Sequence, residues 1–245
     1  MTRVGLFVTC LVDLMRPRIG FAALRLLEAA GCDVVVPQTQ TCCGQPAYNS
    51  GDRRSALELA RKVLDEFESC DYVVAPSGSC AGMIKAHYPE LFSGEPAELG
   101  RVARLCERTY ELTDFLVNVM HLAEVPGRFA GVVTYHDSCS GLRELDVQSQ
   151  PRALLAKVPG LELREMNEAQ ACCGFGGTFS VKFGDISSHI AERKCANIAA
   201  AGVDAVVLGD LGCMLNIEGR LRRRGDTKTQ VLHIAEVLAG MTDDP

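Results

Sequence analysis

The sequence lacks a long apolar run at its start and a long basic run anywhere, and each absence excludes a class of protein. The apolar stretch among the first residues ends at Asp13, which is too short for a secretory signal or a membrane span. The longest basic run covers only residues 220–224, and the net charge is −6. We therefore expect a cytoplasmic protein with no transmembrane segment and no nucleic-acid or anionic-membrane partner.

Familiar catalytic motifs are also missing. The glycine-rich segment 174–177 lacks the strand–turn–helix spacing of a dinucleotide-binding fingerprint, and no Ser-His-Asp or Cys-His set can be assembled from spacing alone. Tryptophan is absent, which excludes nothing. Among the histidines only His136 has a suggestive place, three residues before Cys139. It could bind a metal, carry a proton or, as we favour, hydrogen-bond to a ligand residue.

Cysteine, by contrast, is abundant, with 12 residues in a chain of 245. In a reducing cytosol so many cysteines are not a disulfide framework, and they indicate metal, cluster or redox chemistry. The motif Cys-Cys-Gly occurs at residues 42–44 and again at 172–174, and each copy has one lone cysteine upstream and one downstream. The gaps nearly repeat, with 32 and 33 positions upstream and 37 and 40 downstream. This order indicates a duplicated ligand set.

We assign eight of the cysteines to two metal sites. Four thiolates can hold an iron–sulfur cluster or a closed tetrahedral zinc ion. The glycine after each pair lets the backbone approach closely and offers an N–H group to sulfur. The predicted first site comprises Cys10, Cys42, Cys43 and Cys80, and the predicted second site comprises Cys139, Cys172, Cys173 and Cys213.

The other four cysteines fit a hydrophobic core. Cys32 and Cys70 stand where a third copy of the same local pattern has Val203, and a position that accepts valine is a packing position. Cys106 and Cys195 fall on apolar helical stripes. We expect all four to lie outside the two metal sites.

Strands and helices alternate along both halves, which predicts an α/β fold with small parallel sheets flanked by helices. Residues 99–123 are predicted to be helical. The strand-length apolar runs are 4–9, 33–36 and 72–75 in the first half and 132–135, 161–164 and 205–208 in the second. A Pro-Gly-Arg segment at 126–128 marks the boundary between two predicted domains, 1–127 and 128–245, related by pseudo-two-fold symmetry. The lone cysteines follow strands directly, at the sheet edge where ligands of α/β folds bind.

The motifs around these cysteines resemble those of the cysteine-rich CCG domain family. That family includes the B subunit of heterodisulfide reductase and the iron–sulfur subunits of glycolate and glycerol-3-phosphate oxidising complexes. Within it, the chain is most similar to the lactate utilization A branch, over essentially its whole length. The similar segments are QTCCGQPAYNSG at 40–51, HDSCSGLR at 136–143 and CCGFGGTFS at 172–180.

The resemblance implies an iron–sulfur redox subunit of a three-protein system that oxidises L-lactate to pyruvate, with lactate utilization proteins B and C as partners. It implies two iron–sulfur sites in a component of an oxidoreductase complex rather than a free-standing enzyme. With four thiols in each half, we expect ordinary four-iron four-sulfur clusters, up to two in number. The full family pattern has a fifth cysteine in each half, and here Ser77 and Asp210 occupy those positions. The alternatives are a zinc-bearing or metal-free assembly scaffold and a thiol redox subunit similar to that of heterodisulfide reductase.

Overall fold

The computed structural model describes residues 1–242, and its framework is a pair of four-stranded parallel sheets. The first half supplies β1 (Arg3–Leu6), β2 (Asp33–Val35), β3 (Tyr72–Ala75) and β4 (Thr109–Glu111). The second half supplies β5 (Gly131–His136), β6 (Leu161–Leu163), β7 (Ala205–Leu208) and β8 (Gln230–His233). The strand orders, β2-β1-β3-β4 and β6-β5-β7-β8, correspond one to one, so the two halves repeat one topology.

Helices connect the strands and cover the sheets. The first half contains α1 (Cys10–Met15), α2 (Pro17–Ala29), α3 (Gln45–Asn49), α4 (Arg53–Phe67), α5 (Gly78–Gly82), α6 (Tyr88–Leu91), α7 (Leu99–Glu107) and α8 (Leu112–Asp114). The second half contains α9 (Cys139–Glu144), α10 (Ser149–Leu155), α11 (Thr178–Lys182), α12 (Gly184–Ala201), α13 (Leu211–Arg223) and α14 (Ile234–Ala239). The π-helical turns Met83–His87 and Phe115–Val119 continue α5 and α8. Within residues 1–242, no helix combines the length and apolar character needed to cross a membrane.

The two long helices that follow the cysteine pairs have clear local causes. Helix α4 begins after Asp52, whose carboxylate accepts a hydrogen bond from the backbone N–H of Ser55 at 3.1 Å. Its buried residues recur every three or four positions and face the first sheet. Helix α12 ends at Gly202, which has a left-handed φ of 59°.

The structure confirms the α/β fold with two similar parallel sheets, but each sheet has one strand more than predicted. Strand β4 lies inside residues 99–123, which we predicted to be helical throughout. Strand β8 lies where we predicted no element. Both are edge strands of three or four residues, which are too short to show a period in the sequence. The predicted fold was therefore right in class and incomplete in strand number.

The two halves share a core because each packs its last helix against the other half. Helix α8 and the π-helical turn after it close the first half and pack against α10 of the second half. Helix α14 closes the second half and packs against α2, the counterpart of α10. One continuous cluster of buried side chains accordingly includes Leu26, Phe115, Leu154 and Val237. Burial of this shared apolar surface stabilises both sheets together.

The connection between the halves is held against α14. The backbone N–H of Gly127 donates to the carbonyl of Leu238 at 2.8 Å. A Cβ atom at residue 127 would lie 2.2 Å from the carbonyl oxygen of Val237, so only glycine fits this approach. The domain boundary after residue 127 stays a prediction.

A buried acid ends the first sheet. Glu111, the last residue of β4, caps α8 by accepting backbone N–H groups from Thr113 at 2.7 Å and Asp114 at 3.1 Å. Burial raises the pKa of its carboxyl to about 7. The folded protein therefore retains this proton in a pH range in which the unfolded chain has already released it.

We predict that the Glu111→Gln variant loses a pH dependence that the natural protein has. Between the ordinary glutamate pKa of about 4.3 and the folded value, only the unfolded state ionises, so the stability of the natural protein falls as pH rises, by about 4 kcal/mol at most. Below and above this pH window, Glu111 does not make the free energy of unfolding depend on pH. Chemical denaturation of both proteins between pH 4 and pH 8 measures the difference. If the two proteins differ in unfolding free energy by the same amount at every pH, Glu111 ionises normally.

Candidate metal centre

The lone cysteines stand in the first turns of four helices that follow strands. Cys10 and Cys139 are the first residues of α1 and α9, and Cys80 and Cys213 are the third residues of α5 and α13. Helix α5 packs against α9, and α1 packs against α13. These contacts bring the C-terminal edges of the two sheets face to face, where ligands of parallel sheets bind.

The structure brings the four predicted cysteines of the first site together. The Sγ atoms of Cys43 and Cys80 lie 3.5 Å apart. The thiols of Cys10 and Cys43 lie beside Cys42 and lower the pKa of its thiol. All four line one cavity of about 260 Å³.

The second set repeats this arrangement. The thiols of Cys139 and Cys173 lie beside Cys172 and lower the pKa of its thiol, and Cys213 lies beside Cys173. These four cysteines line a cavity of about 290 Å³. That they hold a metal stays a prediction, but their convergence in space is a property of the fold.

The glycine after each cysteine pair is required by the backbone. Gly44 and Gly174 have φ values of 87° and 88°, in the left-handed region. A Cβ atom at residue 174 would lie 2.6 Å from the carbonyl oxygen of Ser187. In this conformation the N–H of Gly44 donates to Cys42 Sγ at 3.4 Å, and the N–H of Gly174 donates to Cys172 Sγ at 3.3 Å. The tight turn therefore aims a donor at sulfur.

Hydrogen bonding makes one sulfur of each set acidic. Donation by the neighbouring thiols of Cys10 and Cys43 lowers the pKa of Cys42 to about 3. Donation by Cys139 and Cys173 lowers the pKa of Cys172 to about 2. The same bonds, together with burial, raise the pKa values of Cys43 and Cys173. The lowered pKa favours the thiolate, the form of cysteine that binds metals, and metal binding would release protons from the other thiols.

The two cavities are neighbours and share a wall. Gln45, Asn49, Ser79, Phe175, Gly177 and Asp210 line both of them. Three of these residues come from each half, so the wall is built across the duplication. The two cysteine sets are consequently adjacent sites at one interface rather than remote sites in separate lobes.

Two residues at this interface had no signal in the sequence. His87 and Glu144 line the second cavity, with His87 Nε2 at 3.3 Å from Glu144 Oε1. His87 belongs to the first half and Glu144 to the second. Because spacing within one half says nothing about contacts between halves, only the structure reveals this pair.

The positions of the missing fifth cysteines also meet across the interface. Ser77 Oγ donates to Asp210 Oδ2 at 3.1 Å, and the backbone N–H of Ser79 donates to the same oxygen at 2.9 Å. Asp210 Oδ1 accepts the N–H of Gly212 at 3.1 Å. Ser77 Oγ in turn accepts the N–H of Cys80 at 3.4 Å. Asp210 therefore connects the turn that carries Cys80 with the turn that carries Cys213.

The donors fit a metal ion or an iron–sulfur group. Each set provides four sulfurs in a partly enclosed cavity, with backbone N–H groups directed at sulfur. Tetrahedral zinc with Zn–S distances of about 2.3 Å holds its sulfurs roughly 3.8 Å apart. The 3.5 Å between Cys43 and Cys80 is close to that value, whereas a cluster requires a wider ring of sulfurs.

The remaining cysteines lie in the core, as expected. Cys32 and Cys195 belong to the shared core, and Cys70 and Cys106 to a second cluster between the first sheet and α4. Burial raises the pKa of Cys195 to about 11. These thiols are inert packing groups.

Comparisons with known proteins agree with this geometry. The profile of the cysteine-rich CCG domain matches residues 4–85 and 133–218, one match in each half. A protein of Geobacillus kaustophilus named lactate utilization protein A is 49% identical over 236 residues, which cover 96% of this chain and 98% of the relative. A Bacillus licheniformis protein of the same name is 46% identical with the same coverage.

A solved structure supports the fold. A hypothetical protein from Helicobacter pylori aligns with all of this chain at a TM-score of 0.68 and 12% sequence identity. The chain spans half the length of that protein. At this identity the likeness concerns the fold alone.

We predict that the Asp210→Ala variant of the chelated protein loses about 3 kcal/mol of unfolding free energy, because it leaves three donors without their acceptor. Ser77→Ala should cost about 1 kcal/mol, the usual loss of a helix cap. The matched control is Ser79→Ala, which keeps the backbone donor and should change stability by about 0.5 kcal/mol or less. Urea denaturation measures all three. If Ser79→Ala and Asp210→Ala lower the unfolding free energy equally, Asp210 does not have the role assigned to it.

Proposed function

Because the chain belongs to the cysteine-rich CCG domain family, we propose that it is an iron–sulfur redox subunit of a system that oxidises L-lactate to pyruvate. The observation that carries this proposal is the convergence of two sets of four thiols on neighbouring cavities. Thiolate sets of this size suit iron–sulfur clusters. The name of the 49% identical relative supports lactate utilization as the setting.

In this proposal the two cysteine sets bind one cluster each, and such clusters supply one-electron transfer. The N–H groups of Gly44 and Gly174 stabilise negative charge on the ligand sulfurs. Phe175 packs against Gly212, where a Cβ atom would lie 2.4 Å from its ring, and it lines both cavities. Its ring therefore forms part of the wall between the two sets.

The short separation of the sites favours electron transfer over chemistry on a substrate. Both cavities share one wall, so an electron can pass between the sites inside this subunit. No Ser-His-Asp or Cys-His nucleophile set was predicted from the sequence. We therefore assign lactate binding to the complete assembly, with lactate utilization proteins B and C as the proposed partners.

The three-protein assignment is tested by reconstitution. The chain and its proposed partners are purified separately, and lactate-dependent reduction of a dye is measured for every subset. We expect activity in the full mixture and its loss when this chain is omitted. Full activity without this chain would exclude it from the electron path.

Zinc is the second candidate, and one observation favours it. The 3.5 Å between the sulfurs of Cys43 and Cys80 is closer to the spacing around a zinc ion than to that around a cluster. In that case the sites would be structural and the chain an assembly scaffold. Anaerobically purified protein distinguishes the two, because clusters give a brown solution with broad visible absorption and zinc gives a colourless one.

We predict that Cys42→Ser and Cys172→Ser each remove about half of the bound iron, since each set has its own four thiols. Iron and sulfide counting on anaerobically purified protein measures this. The matched control is Cys32→Val, which alters a core thiol and should keep the full iron content. If either serine variant loses all of its iron, the two sets hold a single shared group.

We also predict that removal of metal leaves the protein folded. The core contains a complete set of apolar side chains from both halves, and the thiols of Cys43 and Cys80 already lie within hydrogen-bonding distance of each other. Far-ultraviolet circular dichroism of the chelated protein should therefore keep its helical signal. A random-coil spectrum would show that metal is required for folding itself.

A further inference from the structure

His136 is a buried histidine whose ring lacks hydrogen-bond partners. It is the last residue of β5, and its exposure is 0%. Within the described part of the chain, neither Nδ1 nor Nε2 forms a hydrogen bond. A buried ring with two unsatisfied nitrogens is unfavourable unless something binds it. The fold keeps this ring in place despite that penalty.

The ring faces the second cysteine set. One nitrogen of His136 and the sulfurs of Cys173 and Cys213 all lie within 4.8 Å of one another. Imidazole nitrogen and thiolate sulfur are ligands that zinc and iron accept together. The ligand type, the short distances and the lack of hydrogen-bond partners all indicate that the His136 ring serves the second cysteine set.

The first half shows that packing does not require a histidine here. Phe7 follows β1 at the equivalent place, is equally buried, and packs edge-on against Phe67 with ring centroids 5.7 Å apart. A second difference accompanies this one. Val63 on α4 corresponds to Lys194 on α12, whose buried ammonium donates to the carbonyls of Glu168 and Ala169. The second set therefore has polar groups behind its sulfurs where the first set has apolar ones.

We propose that His136 is a nitrogen ligand of the metal group at the second cysteine set. This inference rests on the proposed function. It makes the two sites unequal, with sulfur ligands alone in the first half and mixed nitrogen and sulfur ligands in the second. His136 thus supplies a fifth donor in the half in which Asp210 replaces the fifth cysteine and is already occupied by three hydrogen bonds.

The test uses the full chain with the Cys42→Ser substitution, so that only the second site holds iron. The reduced protein is prepared with ¹⁵N-labelled and with unlabelled histidine and studied by pulsed electron paramagnetic resonance. We expect a strong nitrogen coupling that changes with the label and is lost in His136→Phe. His87→Phe is the matched control, because His87 lines the cavity of the second cysteine set. This variant should keep the coupling.

Two further measurements keep the outcomes separate. Phenylalanine is the natural residue at the equivalent position, so His136→Phe should keep the far-ultraviolet dichroism of the parent, and His136→Gln provides a second variant that is smaller and polar. A weak coupling or none, or a strong coupling that survives in both variants, would overturn the role of His136 while leaving the redox proposal intact.

A protein without iron would instead overturn the proposed function. The ligand role is then tested with zinc alone, added to the same Cys42→Ser protein. Zinc-edge X-ray absorption should show imidazole scattering that disappears in His136→Phe and persists in His87→Phe. A spectrum with sulfur ligands only would overturn the inference in that case.

Discussion

The carboxylate of Asp210 ties together the two turns on which both cysteine sets depend. It accepts a hydrogen bond from Ser77 and one from the backbone of Ser79 in the first half, and one from Gly212 in its own half. A buried carboxylate is stable only when such donors surround it. Cys80 and Cys213 lie in the helical turns that these bonds fix, so this side chain, together with the packing of α5 on α9, holds the two cavities next to each other.

Much of the site could be predicted from the sequence, because the duplication placed cysteines at strand ends that must share a sheet edge. This reasoning brought Cys10 together with Cys80, and Cys139 with Cys213. It could not show that the two edges face each other, since that depends on packing between α5 and α9. The same limit applies to His87, which reaches the second cavity from the first half. The edge strands β4 and β8 were missed for a different reason, their shortness.

The two sites have the same arrangement of cysteines but differ in the buried side chains that pack behind the sulfurs. Both halves keep the same Cys-Cys-Gly turn, with nearly equal φ values at Gly44 and Gly174. Phe7 and Val63 have been replaced by His136 and Lys194 in the second half, and all four side chains are buried. In the proposed redox role, polar and charged groups near the sulfurs would affect the reduction potential of the second site.

The crossed packing of α8 and α14 bears on how the chain arose. A polypeptide consisting of one half alone would end in a helix equivalent to α8 or α14. That helix would lack the α10 or α2 of another half to pack against. Two such polypeptides could pack their terminal helices against each other, which would give a domain-swapped homodimer. Joining two copies through the segment around Gly127 gives the connectivity of the present chain. Two halves in one chain can differ in sequence, as the residues behind the two cysteine sets do.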